Sequence, residues 1–386
     1  MRPTRILVSG AGIAGTTLAY WLARHGFVPT VVERGGRLRS SGNPVDVEGE
    51  AVAVAGRMGI TGRLRAVATG STGIRFVDAS GRRVGRIDLQ AIRRASGSGS
   101  IEVGRADLAA VLHGAARDSA EFRFGDAIAA LGEDDDGVDV TFESGARERF
   151  DLVVGADGLH SAVRRLAFGP ESLFVTHLGM HVASVALDGS GERGRDVVMY
   201  NAPGRMATIS PTRDGAVAFF AFRDGAAPSE VRDPAQQRRV LAQVFATDGW
   251  RVPDLLERVG VAEDVYFDAV SQVALDRWST GRITLAGDAA NSVSLFGGGS
   301  SLAIVAAHTL AERLAETPAD PAAALARYER EHRRRVEPRQ GNVRLASRLL
   351  VPATRRGIVL RNLAANLWPA AAGAGWARRL VTASTR

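Results

Sequence analysis

The chain has 386 residues, 45% of them apolar and 24% charged, which is ordinary for a globular protein with a large core and room for two subdomains. It contains no cysteine and no lysine, which excludes disulfides, thiolate metal sites, thiol nucleophiles, cysteinyl cofactor links and Schiff-base catalysis. The net charge of +7 sits largely in arginine clusters such as Arg333-Arg334-Arg335, Arg355-Arg356 and Arg378-Arg379, which read as solvated helix faces; no nucleic-acid motif accompanies them.

Arg5-Ile6-Leu7-Val8-Ser9 predicts a short buried parallel strand. Gly10-Ala11-Gly12-Ile13-Ala14-Gly15 follows it. Gly10 permits the tight turn, Gly12 lets backbone approach a pyrophosphate, and Gly15 allows close helix–strand packing. Thr16 to His25 has helical spacing, so that helix would aim its N-terminus at phosphates. Phe27 to Val32 predicts a second strand ending at Glu33, where an acidic residue holds ribose hydroxyls. A signal peptide is the competing reading, but three glycines interrupt the apolar stretch.

Gly42 to Val47 is an extended segment leading to a helix near 50–58, and Arg105-Ala106-Asp107-Leu108 opens another helix. Asp126 to Val154 predicts a β-meander, with Asp134 to Asp136 as an acidic hairpin tip rather than a metal site. Asp151 to Val154 is a buried strand running into Gly155-Ala156-Asp157-Gly158. Residues 174–223 read as strands, 234–245 and 252–259 as helices, and 270–275 and 282–286 as strands again. The last strand feeds Gly287-Asp288-Ala289-Ala290, and beyond Gly299 the chain is mostly helical. Few folds return a distant Gly-Asp to an N-terminal nucleotide loop, so the pair points to a flavin. The expected fold is α/β: a Rossmann-like FAD-binding domain with an inserted β-sheet substrate domain and C-terminal helices. The FAD-binding parts are placed at 1–72, 101–170 and 276–320, the substrate parts at 73–100 and 171–275, and the helices at 321–386.

On the glycine loop with Glu33-Arg34, Gly155-Ala156-Asp157-Gly158 and Gly287-Asp288-Ala289-Ala290, the chain resembles the class A flavoprotein monooxygenases of the para-hydroxybenzoate hydroxylase type. Its compact length and its Gly42 to Val47 segment are most similar to the tetracycline-inactivating branch. The resemblance covers almost the whole chain. It implies noncovalent FAD on Gly10, Ala11, Gly12, Ile13, Ala14 and Gly15, with Glu33 on the adenosine ribose. It implies Arg105 near the ribityl and phosphate part, Asp157 in a motif linked to FAD and nicotinamide binding, and Asp288 on the ribityl or pyrophosphate. Gly297, Gly298, Gly299, Ser300, Ser301 and Leu302 would pass their backbone by the isoalloxazine. Chemistry agrees there: reduced flavin is negative near N1 and O2, and a glycine turn opening a helix supplies N–H groups and a positive end. Asp46, on the extended segment, joins the cofactor candidates. Arg37 or Arg39 would touch flavin or reductant, and Arg34 would meet a nicotinamide 2′-phosphate or be a surface arginine.

The implied reaction is reduction of FAD by NADH or NADPH, formation of a C4a-hydroperoxide with O2, and oxygen transfer to an aromatic or polyketide-like small molecule, in secondary metabolism or antibiotic modification. No side-chain nucleophile is needed, so no catalytic residue is assigned, and no metal is expected. His181, Tyr200, Met206, Phe220 and Phe222 are candidate pocket walls; His181 or Tyr200 would polarise a substrate hydroxyl only if strand alternation points it inward. The chain departs from the family after Gly-Asp-Ala-Ala: Asn291 to Phe296 lacks the usual proline. Baeyer–Villiger insertion, epoxidation, a flavin-dependent dehydrogenase or reductase, and a non-catalytic FAD protein shielding an intermediate remain alternatives. Halogenation is disfavoured by the absence of lysine. A cytoplasmic monomer or homodimer is expected, with no nucleic-acid partner and no stable membrane insertion, because no uninterrupted apolar run reaches transmembrane length.

Overall fold

A computed structural model describes residues 3–38, 43–96, 99–188, 194–213, 215–223, 231, 233–293 and 298–372; the candidates Arg39 and Gly297 lie outside them. In chain order, β1 (Arg5–Ser9), α1 (Ile13–Arg24) and β2 (Val28–Glu33) form the opening unit, followed by β3 (Val45–Val47), α2 (Glu50–Arg57) and α3 (Thr61–Ala66). Next come β4 (Gly73–Val77), β5 (Arg83–Asp88), α4 (Leu89–Ser96), β6 (Ile101–Val103), α5 (Arg105–Ala116) and β7 (Glu121–Phe124). A meander of β8 (Ile128–Glu133), β9 (Val138–Phe142) and β10 (Arg147–Phe150) leads into β11 (Leu152–Gly155) and α6 (Ala162–Ala167). Then follow β12 (Val175–Asp188), β13 (Asp196–Ala202), β14 (Arg205–Pro211), β15 (Gly215–Arg223), α7 (Pro234–Val244), α8 (Val252–Val261) and β16 (Tyr266–Val273). The chain closes with β17 (Ser279–Thr280), β18 (Ile283–Leu285), α9 (Asp288–Asn291), α10 (Gly299–Glu316), α11 (Pro321–Leu350) and α12 (Arg355–Ala372).

Two large sheets organise these elements. The first has the order β17-β18-β11-β1-β2-β7 and is parallel except at β17. Ile6, Leu7 and Val8 of β1 and Val153 and Val154 of β11 are fully buried, as continuous apolar runs are when both faces of a sheet are covered; helix α1 and meander residues such as Phe142 and Phe150 share their core. Strand order reverses at β1, with β2 on one side and β11 on the other, so the crevice beyond their C-terminal ends is the natural ligand position. The second sheet, β16-β12-β15-β14-β13-β4-β5, draws its strands from three separate stretches of the chain. It is antiparallel apart from the β13–β4 pair. The two-stranded β3–β6 ribbon flanks the excursion to β4 and β5.

Two boundaries differ from the sequence reading. α1 begins at Ile13 rather than Thr16, because Gly12 takes an extended N-cap conformation and Gly15 therefore lies in the first turn. β16 runs Tyr266–Val273, earlier than the expected 270–275, because β12 is long enough to pair with it from Ser184 back to Val175. The acidic tip is a tight hairpin: an Asp134 carboxylate oxygen accepts the N–H groups of Asp136 (2.9 Å) and Gly137 (3.0 Å).

Candidate cofactor site

Three glycine-bearing motifs meet at contacts that leave no room for a side chain on the glycine. A methyl group added at Gly10, whose φ is +101°, would sit 2.6 Å from the Ala156 carbonyl oxygen. One added at Gly15 would sit 1.9 Å from the carbonyl oxygen of Gly10. One added at Gly287, φ +62°, would meet the Ala14 side chain at 2.8 Å and that of Ala303 at 3.8 Å. At Gly12 there is nothing within 4 Å. The loop is thus closed on its protein side and open on the other. The opening lies before the N-terminus of α1, which has no side-chain cap, so its first N–H groups are available to an anion.

α10 presents a second such end. Gly298, left-handed at φ +67°, precedes it, again without a side-chain cap. Ala14 and Ala303 flank Gly287 near the starts of α1 and α10, and further along the rings of Trp21 and His308 meet at 4.5 Å. The two helices therefore run parallel with their positive ends together. Each end carries roughly half a positive charge, so the pair is favourable only with an anion before it. Asp288, first residue of α9, and Arg105, first residue of α5, feel each other's charge, and neither has a hydrogen-bond partner among the described residues. Burial pushes the Asp288 carboxyl up; Arg105 opposes this and Asp268 adds to it.

Glu33 is fixed at the rim of the loop: one carboxylate oxygen accepts the Ala11 N–H (2.9 Å), the other that of Gly35 (2.9 Å). Arg34 turns away to a largely exposed ion pair with Glu143 at 3.3 Å. Asp157 accepts from the Ala162 N–H (2.9 Å), the Val163 N–H (3.2 Å) and the hydroxyls of Ser9 and Ser161, so its carboxylate caps α6. Burial pushes its carboxyl up, while these donors hold it down. Ser301 ties the glycine turn to the ribbon: its hydroxyl donates to the Asp46 carbonyl (2.8 Å) and accepts the Glu48 N–H (3.0 Å). Leu302 is buried beside it, while Gly299 and Ser300 are half-buried at the helix start.

Two supports were missed in the sequence. Arg164 is fully buried and donates to the carbonyls of Leu159 (2.6 Å) and Ala289 (3.1 Å), so it clamps the second motif to the third. Only its place directly after the Asp157 motif could have signalled this. Gln340, on α11, donates to the carbonyls of Val273 (2.9 Å) and Ser292 (3.2 Å), and the Ser292 hydroxyl donates to Ser271 (3.3 Å). These bonds fix the chain after Ala290, where the family's proline is missing. Asn291 there is 4% exposed, and its Nδ2 has no partner among the described residues.

Strand alternation divides the five wall candidates. His181 stacks on Phe222 at 5.4 Å, Phe220 and Phe222 pack against Phe245 at 5.1 and 6.0 Å, and Tyr200 lies 6.1 Å from Trp250. Phe220, Phe222 and Tyr200 share a core with residues of α7 and α8, so these four belong to the face that those helices cover. Met206 stands on the opposite face with Phe76, Met180, Val182, Met199 and Phe219. At one end of the sheet His160 reaches Glu171 (3.0 Å) and Asp268 (3.4 Å), and Asp268 also accepts the Tyr266 hydroxyl (3.2 Å). Asp268, then Glu171, hold the His160 imidazole above its usual pKa. Among the described residues no His, Asp and Glu side chains group to hold a metal ion, and no helix is long and apolar enough to cross a membrane.

Comparison with known proteins agrees with this geometry. The family described as FAD binding domain matches residues 3–339. An uncharacterized protein of Mycobacterium tuberculosis is 41% identical over 340 residues, 87% of this chain and 91% of its own. A flavin-dependent monooxygenase from an unknown prokaryotic organism is 37% identical over 327 residues, 84% of each chain. The crystal structure of tetracycline destructase Tet(55) superposes with a TM-score of 0.82 at 34% identity, covering 94% of this chain and 97% of that one. With the FAD binding domain matched over 3–339 and a flavin-dependent monooxygenase 37% identical over most of both chains, the chain belongs to the FAD-dependent monooxygenases.

Proposed function

We propose that the protein uses NADH or NADPH and O2 to hydroxylate an aromatic or polyketide-like small molecule, in secondary metabolism or antibiotic modification. The observation that carries this reading is the convergence of the parallel N-termini of α1 and α10 at Gly287. Bound FAD supplies the redox chemistry, taking a hydride from the nicotinamide and activating oxygen. The chain's own groups then have defined tasks. The open backbone at Gly12 and the first turn of α1 receive the pyrophosphate, Glu33 the ribose, and Arg105 and Asp288 the linker between phosphate and ring. The start of α10 stabilises negative charge on the reduced ring. The Met206 face of the second sheet, with Phe76 and Phe219, forms the apolar wall that keeps water from the reacting centre.

The likeness to a tetracycline destructase favours a fused-ring substrate. Residues 1–72, 101–170 and 276–320 serve as the FAD-binding part, 73–100 and 171–275 as the substrate part, and 321–386 as the C-terminal helices, in a cytoplasmic monomer or homodimer. The test is NAD(P)H oxidation by the FAD-loaded protein across a panel of phenols and fused-ring polyketides, with isotopically labelled O2. The expected result is ligand-stimulated oxidation and one labelled oxygen in the product. Stimulated oxidation with no label in any product would replace this reading with a dehydrogenase or reductase.

A further inference from the structure

The C-terminal helix turns its apolar stripe outward. In α12 the side chains of Val359, Leu360 and Leu363 are 57%, 67% and 54% exposed, and Leu349 at the end of α11 adds a fourth at 53%. Val359, Leu360 and Leu363 share one helical face at i, i+1 and i+4, with exposed Arg356 one turn before them. The opposite side of the same helix sends Arg361 inward, over the Phe76 ring at 4.2 Å and onto the Asn201 side chain at 2.9 Å. A helix serving only to cover the sheet would do the reverse.

The charge of this region is equally one-sided. No acidic residue follows Glu337, whereas nine arginines do; the first 337 residues hold 40 arginines against 42 carboxylates. The whole net positive charge of the protein therefore resides in its last 49 residues. Exposed Arg348, Arg355 and Arg356 bracket the apolar stripe.

We propose that α12 and the end of α11 form a docking face for an anionic lipid bilayer, with α12 lying in the plane of the interface. Arginines beside an outward apolar stripe match a surface that is negative at the headgroups and apolar just below them. A second copy of this chain fits poorly, because a two-fold contact would set the arginine-rich face against itself with no carboxylate to answer it. Nucleic acid would use the arginines but leave the leucines without purpose. The proposal does not depend on which substrate the enzyme oxidises.

The test is co-sedimentation of the full-length, FAD-loaded protein with phosphatidylglycerol–phosphatidylcholine vesicles, against pure phosphatidylcholine vesicles. Binding is expected only to the anionic vesicles, falling as salt is raised. Arg355→Ser with Arg356→Ser should weaken it by about thirtyfold. Leu360→Ser with Leu363→Ser should weaken it by about tenfold or more. These positions are exposed, so FAD content and melting temperature should hold in both variants. Absence of binding to the anionic vesicles would overturn the proposal. So would binding indifferent to the leucine changes, which would mark a plain polyanion site. A dimer in solution that the leucine changes dissociate, seen by analytical ultracentrifugation, would overturn it as well.

Discussion

The two large sheets build their parts of the molecule by different means. Around the parallel sheet, glycines set the contacts: Gly10 lies against the Ala156 backbone, Gly15 against that of Gly10, and Gly287 against the Ala14 methyl. The placement of the three motifs follows from contacts that leave no room for a methyl group on these glycines. The mixed, seven-stranded sheet is built from alternation, with His181, Tyr200, Phe220 and Phe222 on one face and Met206, Phe219 and Met180 on the other. Both faces are apolar and both are covered, one by α7 and α8 and the other, in part, by Val351 and by Arg361 and Ala365 of α12. A site made from backbone contacts tolerates no change at its glycines, whereas one made from side chains can be altered on one face while the other carries the stability.

The sharpest way to break this contrast is Gly15→Ala. The added methyl would lie against the Gly10 carbonyl, and overpacking of this kind costs typically about 1 to 3 kcal/mol, with more expected where backbone must move. The variant should lose FAD altogether, read by flavin absorbance of the purified protein, and melt far below the parent. Gly12→Ala, in open space, should keep the melting temperature of the FAD-free protein and weaken only the cofactor. Equal melting losses in the two variants would show that the loop is not closed on one side and open on the other.

On the second sheet the corresponding change is Phe222→Ala. Phe222 is fully buried beside Phe245 and His181, so its removal should cost about 3 to 4 kcal/mol by denaturant unfolding. KM for the aromatic substrate should stay close to the parent value, because this face is filled by α7 and α8. A large KM change with little loss of stability would place Phe222 in the pocket instead.

This difference also explains what could be read from the sequence. The glycine loop, Glu33, Gly287 and the strand–helix–strand order were legible because each is a local pattern with one steric solution. The wall residues were not, since a period of two says that neighbours face opposite ways and not which way is inward. Asp157 was legible as a motif but its capping contacts were not, because Ala162 and Val163, which donate to its carboxylate, belong to a helix that starts only after the motif ends. Arg164 and Gln340 were invisible for a related reason: their acceptors at Ala289, Val273 and Ser292 are far away in the chain. How Ser292 is held without a neighbouring proline became intelligible only through those bonds, and residues 294–297 lie outside the described residues.

Asp288 separates a cofactor contact from a structural one. It has no hydrogen-bond partner among the described residues, so Asp288→Ala should leave the FAD-free protein as stable as the parent or slightly more so. FAD affinity should fall by about ten- to a hundredfold, the usual worth of a hydrogen bond to a charged group, measured by flavin fluorescence titration. A drop in stability with unchanged affinity would assign the carboxylate to the fold.

The smallest effect tests where the two regions join, at the β3–β6 ribbon. Asp46 faces Glu102 across the ribbon, with Arg93 3.8 Å away, and its own carbonyl is held by Ser301. Burial, with Glu102 and then Glu48 repelling against the attraction of Arg93, pushes the Asp46 carboxyl up to about 6. A carboxyl raised in this way favours the fold while protonated. Its contribution is fully present below the unfolded value near 3.8 and is lost as pH rises through about 6. Asp46→Asn should therefore stabilise the protein between pH 7 and 8 and give no gain near pH 4. Half the side chain is exposed, so the gain should stay under about 1 kcal/mol. Thermal melts of both proteins across this pH range measure the difference. A gain of the same size at pH 4 would show that charge repulsion in the ribbon is not its source.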